Sequence, residues 1–116
     1  MTATDLGSPP LGERVSVETV GLDRLRAHVR VTGDLDVSTA APLWAVLQSH
    51  LAAGRRHVRL DLAGVAFLDA SALSGIVQTH HDALEMRGTL VLSGMNSHVD
   101  KVLHMTGLHD VLFVAR

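Results

Sequence analysis

Val65-Ala66-Phe67-Leu68-Asp69-Ala70-Ser71-Ala72-Leu73-Ser74-Gly75-Ile76-Val77 changes character halfway along. An apolar run stops at Asp69, after which Leu73, Ile76 and Val77 recur at helical spacing. Buried chain therefore gives way to an amphipathic helix. Its first polar residues allow two readings. Either Asp69 or Ser71 is simply the N-cap. Or Ser71 is an exposed hydroxyl able to carry a phosphate, which the unpaired N–H groups and positive dipole end of a helix start accommodate.

Working outward, the periodicity predicts an α/β domain of order ββαβαβα, with a possible last β. Val15–Val20 and Leu25–Val31 alternate and pair as a hairpin around a turn at Gly21–Arg24. Ser38 or Thr39 caps a first helix that tolerates Pro42, carries Leu43, Val46, Leu47 and Leu51 on its apolar stripe, and ends at Gly54. In the third strand Val58, Leu60 and Leu62 alternate with His57, Arg59 and Asp61. The second helix spans about Ala72–Arg87, with Leu73, Ile76, Val77, His80 and Leu84 inward, and stops at Gly88. Thr89–Leu92 is a fourth strand. Asn96 caps a third helix bearing Val99, Val102, Leu103 and Met105, which Gly107 ends. Val111–Val114 is a closing strand or a packed tail. Strands alternating with helices imply a mixed β-sheet covered by α-helices. The expected core is Val29, Val31, Leu47, Leu60, Leu62, Ile76, Val77, Leu92 and Leu103. Residues 1–13, with Pro9-Pro10, read as a flexible leader, and 14–116 as one domain.

Composition narrows the function. The 116 residues are 47% hydrophobic but only 3% aromatic, so the core is aliphatic. A net charge of -2 with scattered charges asks for no nucleic acid and no anionic membrane. The absence of cysteine excludes disulfides, thiol catalysis and thiolate metal sites. No apolar run reaches the roughly 18 residues of a transmembrane span, and no secretory signal is present. A cytoplasmic protein, monomeric or weakly dimeric, is expected.

Chemistry-bearing motifs are few. Neither a P-loop nor GxGxxG occurs, so no nucleotide cofactor is expected. The 8 histidines lack chelating spacing: adjacent His80 and His81 point about 100° apart on a helix, and His98, His104 and His109 form no HExxH. No metal site is expected. Ser71 as a nucleophile would need a histidine base, and no GxSxG elbow surrounds it; a serine-dependent hydrolase is the weakest reading. Asp34 and Asp36 read first as turn residues, and as an acidic rim beside Ser71 if the loop after the second strand lies there.

Gly33-Asp34-Leu35-Asp36, then Leu60-Asp61-Leu62-Ala63-Gly64-Val65-Ala66-Phe67-Leu68-Asp69-Ala70-Ser71, then Thr106-Gly107-Leu108, resemble in this order the STAS domain. That fold is shared by anti-sigma factor antagonists and the cytoplasmic tails of sulfate transporters. The likeness covers about residues 15–114, and a free-standing domain of this size resembles an antagonist. The resemblance implies a non-enzymatic protein that binds an anti-sigma factor with serine-kinase activity while unphosphorylated. It is switched off when that kinase phosphorylates it, and a serine phosphatase restores it. In the family stretch Asp-Ser-Ser-Gly-Leu-Gly the second serine takes the phosphate. Carried over, that is Ser71, with Asp69 before it and Asp36 in the partner-facing loop. Here Ala70 replaces the first serine, leaving one hydroxyl there; Ala72 and Ser74 replace the glycines, and Ser74 is a second hydroxyl one turn on. The implied partner surface comprises Asp34, Asp36, Asp69, Ser71, Ser74, Gly75 and Gln78. The alternative within the same family is a subunit of a larger signalling or lipid-transport assembly that needs no phosphate.

Overall fold

The computed structural model describes residues 15–115, so the leader expected over 1–13 lies outside the described residues. Five strands form one sheet in the order β1-β2-β3-β4-β5: Ser16–Leu22, Arg26–Thr32, His57–Gly64, Thr89–Ser93 and Phe113–Val114. β1 and β2 are the antiparallel hairpin; β2, β3, β4 and β5 run parallel. Helices α1 (Ala41–Ala52), α2 (Ala70–Glu85) and α3 (Ser97–Met105) make the crossovers, and a 3₁₀ turn, Leu108–Asp110, precedes β5. This is the order ββαβαβα(β) that the periodicity predicts.

Each parallel crossover steps the same way across the sheet, and crossovers are right-handed, so all three helices lie on one face. The strands record this. In β3, Val58, Leu60 and Leu62 are buried while Arg59 is exposed and His57 and Asp61 are half-buried. The uncovered face carries a salt bridge between Arg30 and Asp61 at 3.3 Å. The Asp61 carboxyl is held below its usual range, first by the Ala63 amide and then by Arg30. The covered face packs Val29, Val31, Leu60, Leu62 and Leu92 against Leu43, Leu47, Ile76 and Leu103 in one aliphatic cluster. Of the expected core, Val77 alone is only half-buried.

Several local expectations are corrected. Neither Ser38 nor Thr39 caps α1; its N-cap is Ala40, with no side-chain cap bond, because both hydroxyls are used in the preceding turn. The first strand runs on through Gly21 to Leu22, with a bulge between Thr19 and Gly21. α2 begins two residues earlier than expected, at Ala70. Leu84 (45% exposed) and Met105 (77%) face solvent, since Thr79, His80 and Ala83 fill the buried side of α2 and Val99 and Leu103 that of α3. At the end of α2 the left-handed residue is Arg87, with φ 60. Gly88 is required instead by contact, since a Cβ there would strike the Arg56 carbonyl. Val111–Val114 resolves into a buried Leu112 and the short strand β5.

Two histidines are built into this packing. His50 Nε2 lies 2.9 Å from Thr19 Oγ1, joining α1 to β1. His80 lies edge-on to the Phe113 ring at 5.3 Å. Burial holds both imidazoles below their usual pKa, with Arg55 adding to the effect at His50 and His81 at His80. The unfolded chain therefore takes up more protons than the folded one below the unperturbed value of 6.5. Stability should be full above that pH and be lost progressively as pH falls through the lowered folded-state values. Urea unfolding midpoints between about pH 7 and about pH 5 check this; a flat profile rules it out. Leu60 is fully buried on a central strand, so Leu60→Ala should cost about 2–5 kcal/mol in urea unfolding by leaving a cavity.

Candidate functional site

The loops leaving the C-terminal ends of β2 and β3 meet beside the first turn of α2. Gly33, at φ 112, turns the chain out of β2, and its N–H donates to the Gly64 carbonyl at 3.0 Å. Leu35 then forms an isolated parallel bridge with Leu68. Its N–H donates to the Phe67 carbonyl at 2.9 Å, and its own carbonyl accepts from the Asp69 N–H at 3.0 Å. Leu35 is completely buried and Leu68 is 3% exposed. Core packing therefore holds the bridge, and the bridge fixes Asp34 and Asp36 next to Asp69.

Thr39 braces this loop from beneath. It is 1% exposed. Its hydroxyl donates to the Asp34 carbonyl at 2.7 Å and accepts from the Asp36 N–H at 2.9 Å. The Asp36 carboxylate accepts from the Ser38 N–H at 2.8 Å and from its hydroxyl at 2.7 Å. Asp36 thus shapes the turn, whereas the exposed Asp34 side chain presents its charge to solvent.

Asp69 is the N-cap of α2: its carboxylate accepts from the Ala72 N–H at 2.9 Å. With the cap filled by Asp69, Ser71 is left exposed in the first turn, among the N–H groups of a helix start. Of the two capping candidates in the opening stretch, Asp69 is therefore the cap and Ser71 is not. Ser74 is exposed one turn on, and Gln78 a further turn along, where its amide donates to Asp82 at 3.0 Å. Gln48 of α1 donates to the same carboxylate at 2.9 Å. A shallow groove of about 450 Å³ along this surface is lined by Leu73, Ser74, Val77, Gln78, His81 and Leu108. Gly75 is half-buried, and its small size serves α1: a Cβ there would run into the Trp44 indole.

The rim combines Asp34, Asp36 and Asp69 with the exposed hydroxyl of Ser71. Among the described residues no histidine is hydrogen-bonded to Ser71. Three contributors escaped the sequence reading. Thr39 looked like a helix cap. Phe67 reads only as part of the apolar run before Asp69, yet it is 46% exposed and stacks on His98 at 6.5 Å. Val37, 81% exposed, stands in the acidic loop itself; an apolar residue between Asp36 and Ser38 was the one signal that could have found it. Asn96 caps α3 as expected, through the Val99 N–H, and its amide also donates to the Val65 carbonyl at 2.8 Å, tying α3 to the segment before α2.

Comparison with known proteins agrees with this fold. Residues 18–114 match the family described as Mlab, STAS domain. An anti-sigma-B factor antagonist of Staphylococcus epidermidis is 29% identical over 100 residues, 86% of this chain and 92% of that protein. The Staphylococcus aureus antagonist is 28% identical over the same shares. Among solved structures, an anti-sigma factor antagonist from Mycobacterium paratuberculosis superposes with a TM-score of 0.77 at 21% identity, covering 94% of this chain and 89% of that one. The phosphorylated form of the Bacillus cell fate determinant SpoIIAA gives 0.68 at 17% identity, covering 87% and 92%. Both share the fold.

The Thr39 brace makes a stability prediction. Thr39→Val keeps the shape but strands the Asp36 N–H and the Asp34 carbonyl, which should cost about 1–3 kcal/mol. Denaturant unfolding measures it; an unchanged midpoint would mean that solvent satisfies both groups.

Proposed function

Because the chain belongs to the STAS domain family, we propose that it is an anti-sigma factor antagonist. In this reading it binds a kinase-active anti-sigma factor through the acidic rim and the outer face of α2, and phosphate on Ser71 ends the binding. The observation that carries this is Ser71 itself. It is an exposed hydroxyl in the first turn of α2, with the cap already supplied by Asp69 and with the Asp34–Asp36 loop locked alongside. The Staphylococcus relatives named as antagonists support it.

The physics of the switch follows from the rim. A phosphate adds about -1.5 to -2 charges at neutral pH. In the free protein, helix N–H groups and water accommodate it. Pressed into an interface beside Asp34, Asp36 and Asp69, it meets like charge and loses hydration. A penalty of roughly 3 kcal/mol weakens a complex about a hundredfold. The anti-sigma factor supplies the phosphate from ATP, a serine phosphatase removes it, and release of the sigma factor is the output in the cytoplasm. The antagonist itself is a binding protein, not a catalyst. A second reading, a STAS subunit whose contacts ignore phosphate, is favoured by the alanines at 70 and 72 on either side of the hydroxyl.

Ser71→Ala should abolish phosphorylation and leave binding to the cognate anti-sigma factor intact. Ser71→Glu should weaken binding, though less than phosphate does, and neither should unfold an exposed helix start. Asp34→Lys should change affinity with thermal stability near normal, because the Asp34 side chain is exposed and only its carbonyl is held in the loop. The measurements are Kd and labelled phosphate incorporated from ATP. Full phosphorylation of Ser71→Ala would move the site to Ser74 or another hydroxyl. No phosphorylation anywhere, with normal binding by Ser71→Glu, would replace the switch by the second reading.

A further inference from the structure

Along α3 and the turn that follows it, three side chains come together. Asp100 and His104 stand one turn apart on the helix. The chain then turns at Gly107, with φ 78, and the 3₁₀ turn Leu108–Asp110 folds His109 back. One donor atom each from Asp100, His104 and His109 lies within 4.8 Å of the other two. The two imidazoles stack, with centroids 3.9 Å apart.

Two details give this cluster a direction. His104 Nδ1 lies 2.9 Å from the Asp100 carbonyl oxygen. A carbonyl only accepts, so Nδ1 carries the proton and Nε2 keeps its lone pair. This is the contact that orients a metal-binding histidine and fixes its tautomer. The second detail is Asp100 Oδ1, a buried oxygen without a hydrogen-bond partner. His104 Nδ1, at 3.7 Å, is too far to serve. A buried carboxylate oxygen left unpaired is costly, and a cation would satisfy it.

We propose that Asp100, His104 and His109 bind one divalent transition-metal ion of the zinc type, with water completing the shell. Two imidazoles and one carboxylate suit such borderline ions, whereas magnesium and calcium prefer all-oxygen shells. Around an ion with bonds of about 2.0–2.1 Å the donors stand about 3.3 Å apart. Adjustment of the Asp100 and His109 side chains, 30% and 27% exposed, closes the present spacing while His104 keeps its bond to the Asp100 carbonyl. The carbonyl end of α3 adds negative potential. The bound ion pins the turn to α3 and steadies the approach to Leu112 and β5. The sequence argument against a metal weighed the histidines alone; the missing donor is a carboxylate four residues before His104. None of the three residues belongs to the proposed partner surface, so this site stands or falls independently of the Ser71 switch.

Calorimetric titration of the whole chain with Zn²⁺ should show one equivalent bound with micromolar or tighter Kd, and Zn²⁺ but not Mg²⁺ should raise Tm. His109→Gln and Asp100→Asn should each weaken binding at least about tenfold, while His98→Gln, on the same helix but outside the cluster, should leave it unchanged. Unchanged affinity in the first two variants, or weak heat spread over several sites, overturns the proposal. Co²⁺ added to the unmodified chain gives a check free of folding effects. Intense visible bands from a low-coordinate, nitrogen-bound ion support the site, and the pale spectrum of the hydrated ion sinks it.

Discussion

Two hydrogen bonds made by Leu35, to the Phe67 carbonyl and from the Asp69 N–H, decide where everything at the candidate site can be. They extend the β2–β3 pairing past the strands proper, and they do so with buried side chains on both partners. An exposed two-residue bridge would fray; this one is anchored in the aliphatic core. The acidic loop therefore cannot swing away from α2 without taking Leu35 out of the core. In the proposed reading a partner would meet a preformed loop backbone, and a charge placed on Ser71 would meet the acidic loop held beside it.

The one-sided sheet explains the rest of the architecture. Parallel strands are usually covered on both faces and read as continuous apolar runs. Here every crossover advances in the same direction, so the helices share one face and the other stays in water. That arrangement imposes strict alternation on β2 and β3, and it confines the core to a single aliphatic layer between sheet and helices. The proposed binding residues lie at the ends of strands and on the outer face of α2.

Cap chemistry divides labour at the start of α2. Asp69 satisfies the Ala72 N–H, so Ser71 is released from a structural duty that serines at helix starts commonly carry. In the proposed switch this separation matters: modifying a capping hydroxyl would disturb the helix, whereas modifying Ser71 changes only the charge that a partner meets. Thr39 makes the opposite bargain, giving up its role as a cap to hold the acidic loop, and α1 is left with Ala40 as its N-cap and no side-chain cap bond.

The sequence by itself determined the element order, the covered face of β3, the cap at Asn96 and the start of α2 at Asp69–Ser71, leaving open which of the two caps it. Each of these depends on contacts a few residues apart, and short-range contacts leave a periodic or positional mark in the chain. Only the tertiary structure decided what distant segments do to one another. The Leu35–Leu68 bridge joins residues from two loops. Gly75 is small because Trp44 of another helix lies over it, and Gly88 because the Arg56 carbonyl does. Leu84 turned outward because Thr79, His80 and Ala83 had already filled the buried side of α2. His109 reached Asp100 only because the chain reversed at Gly107. Such neighbours are set by how packed elements fit in three dimensions, which no local pattern of residues records.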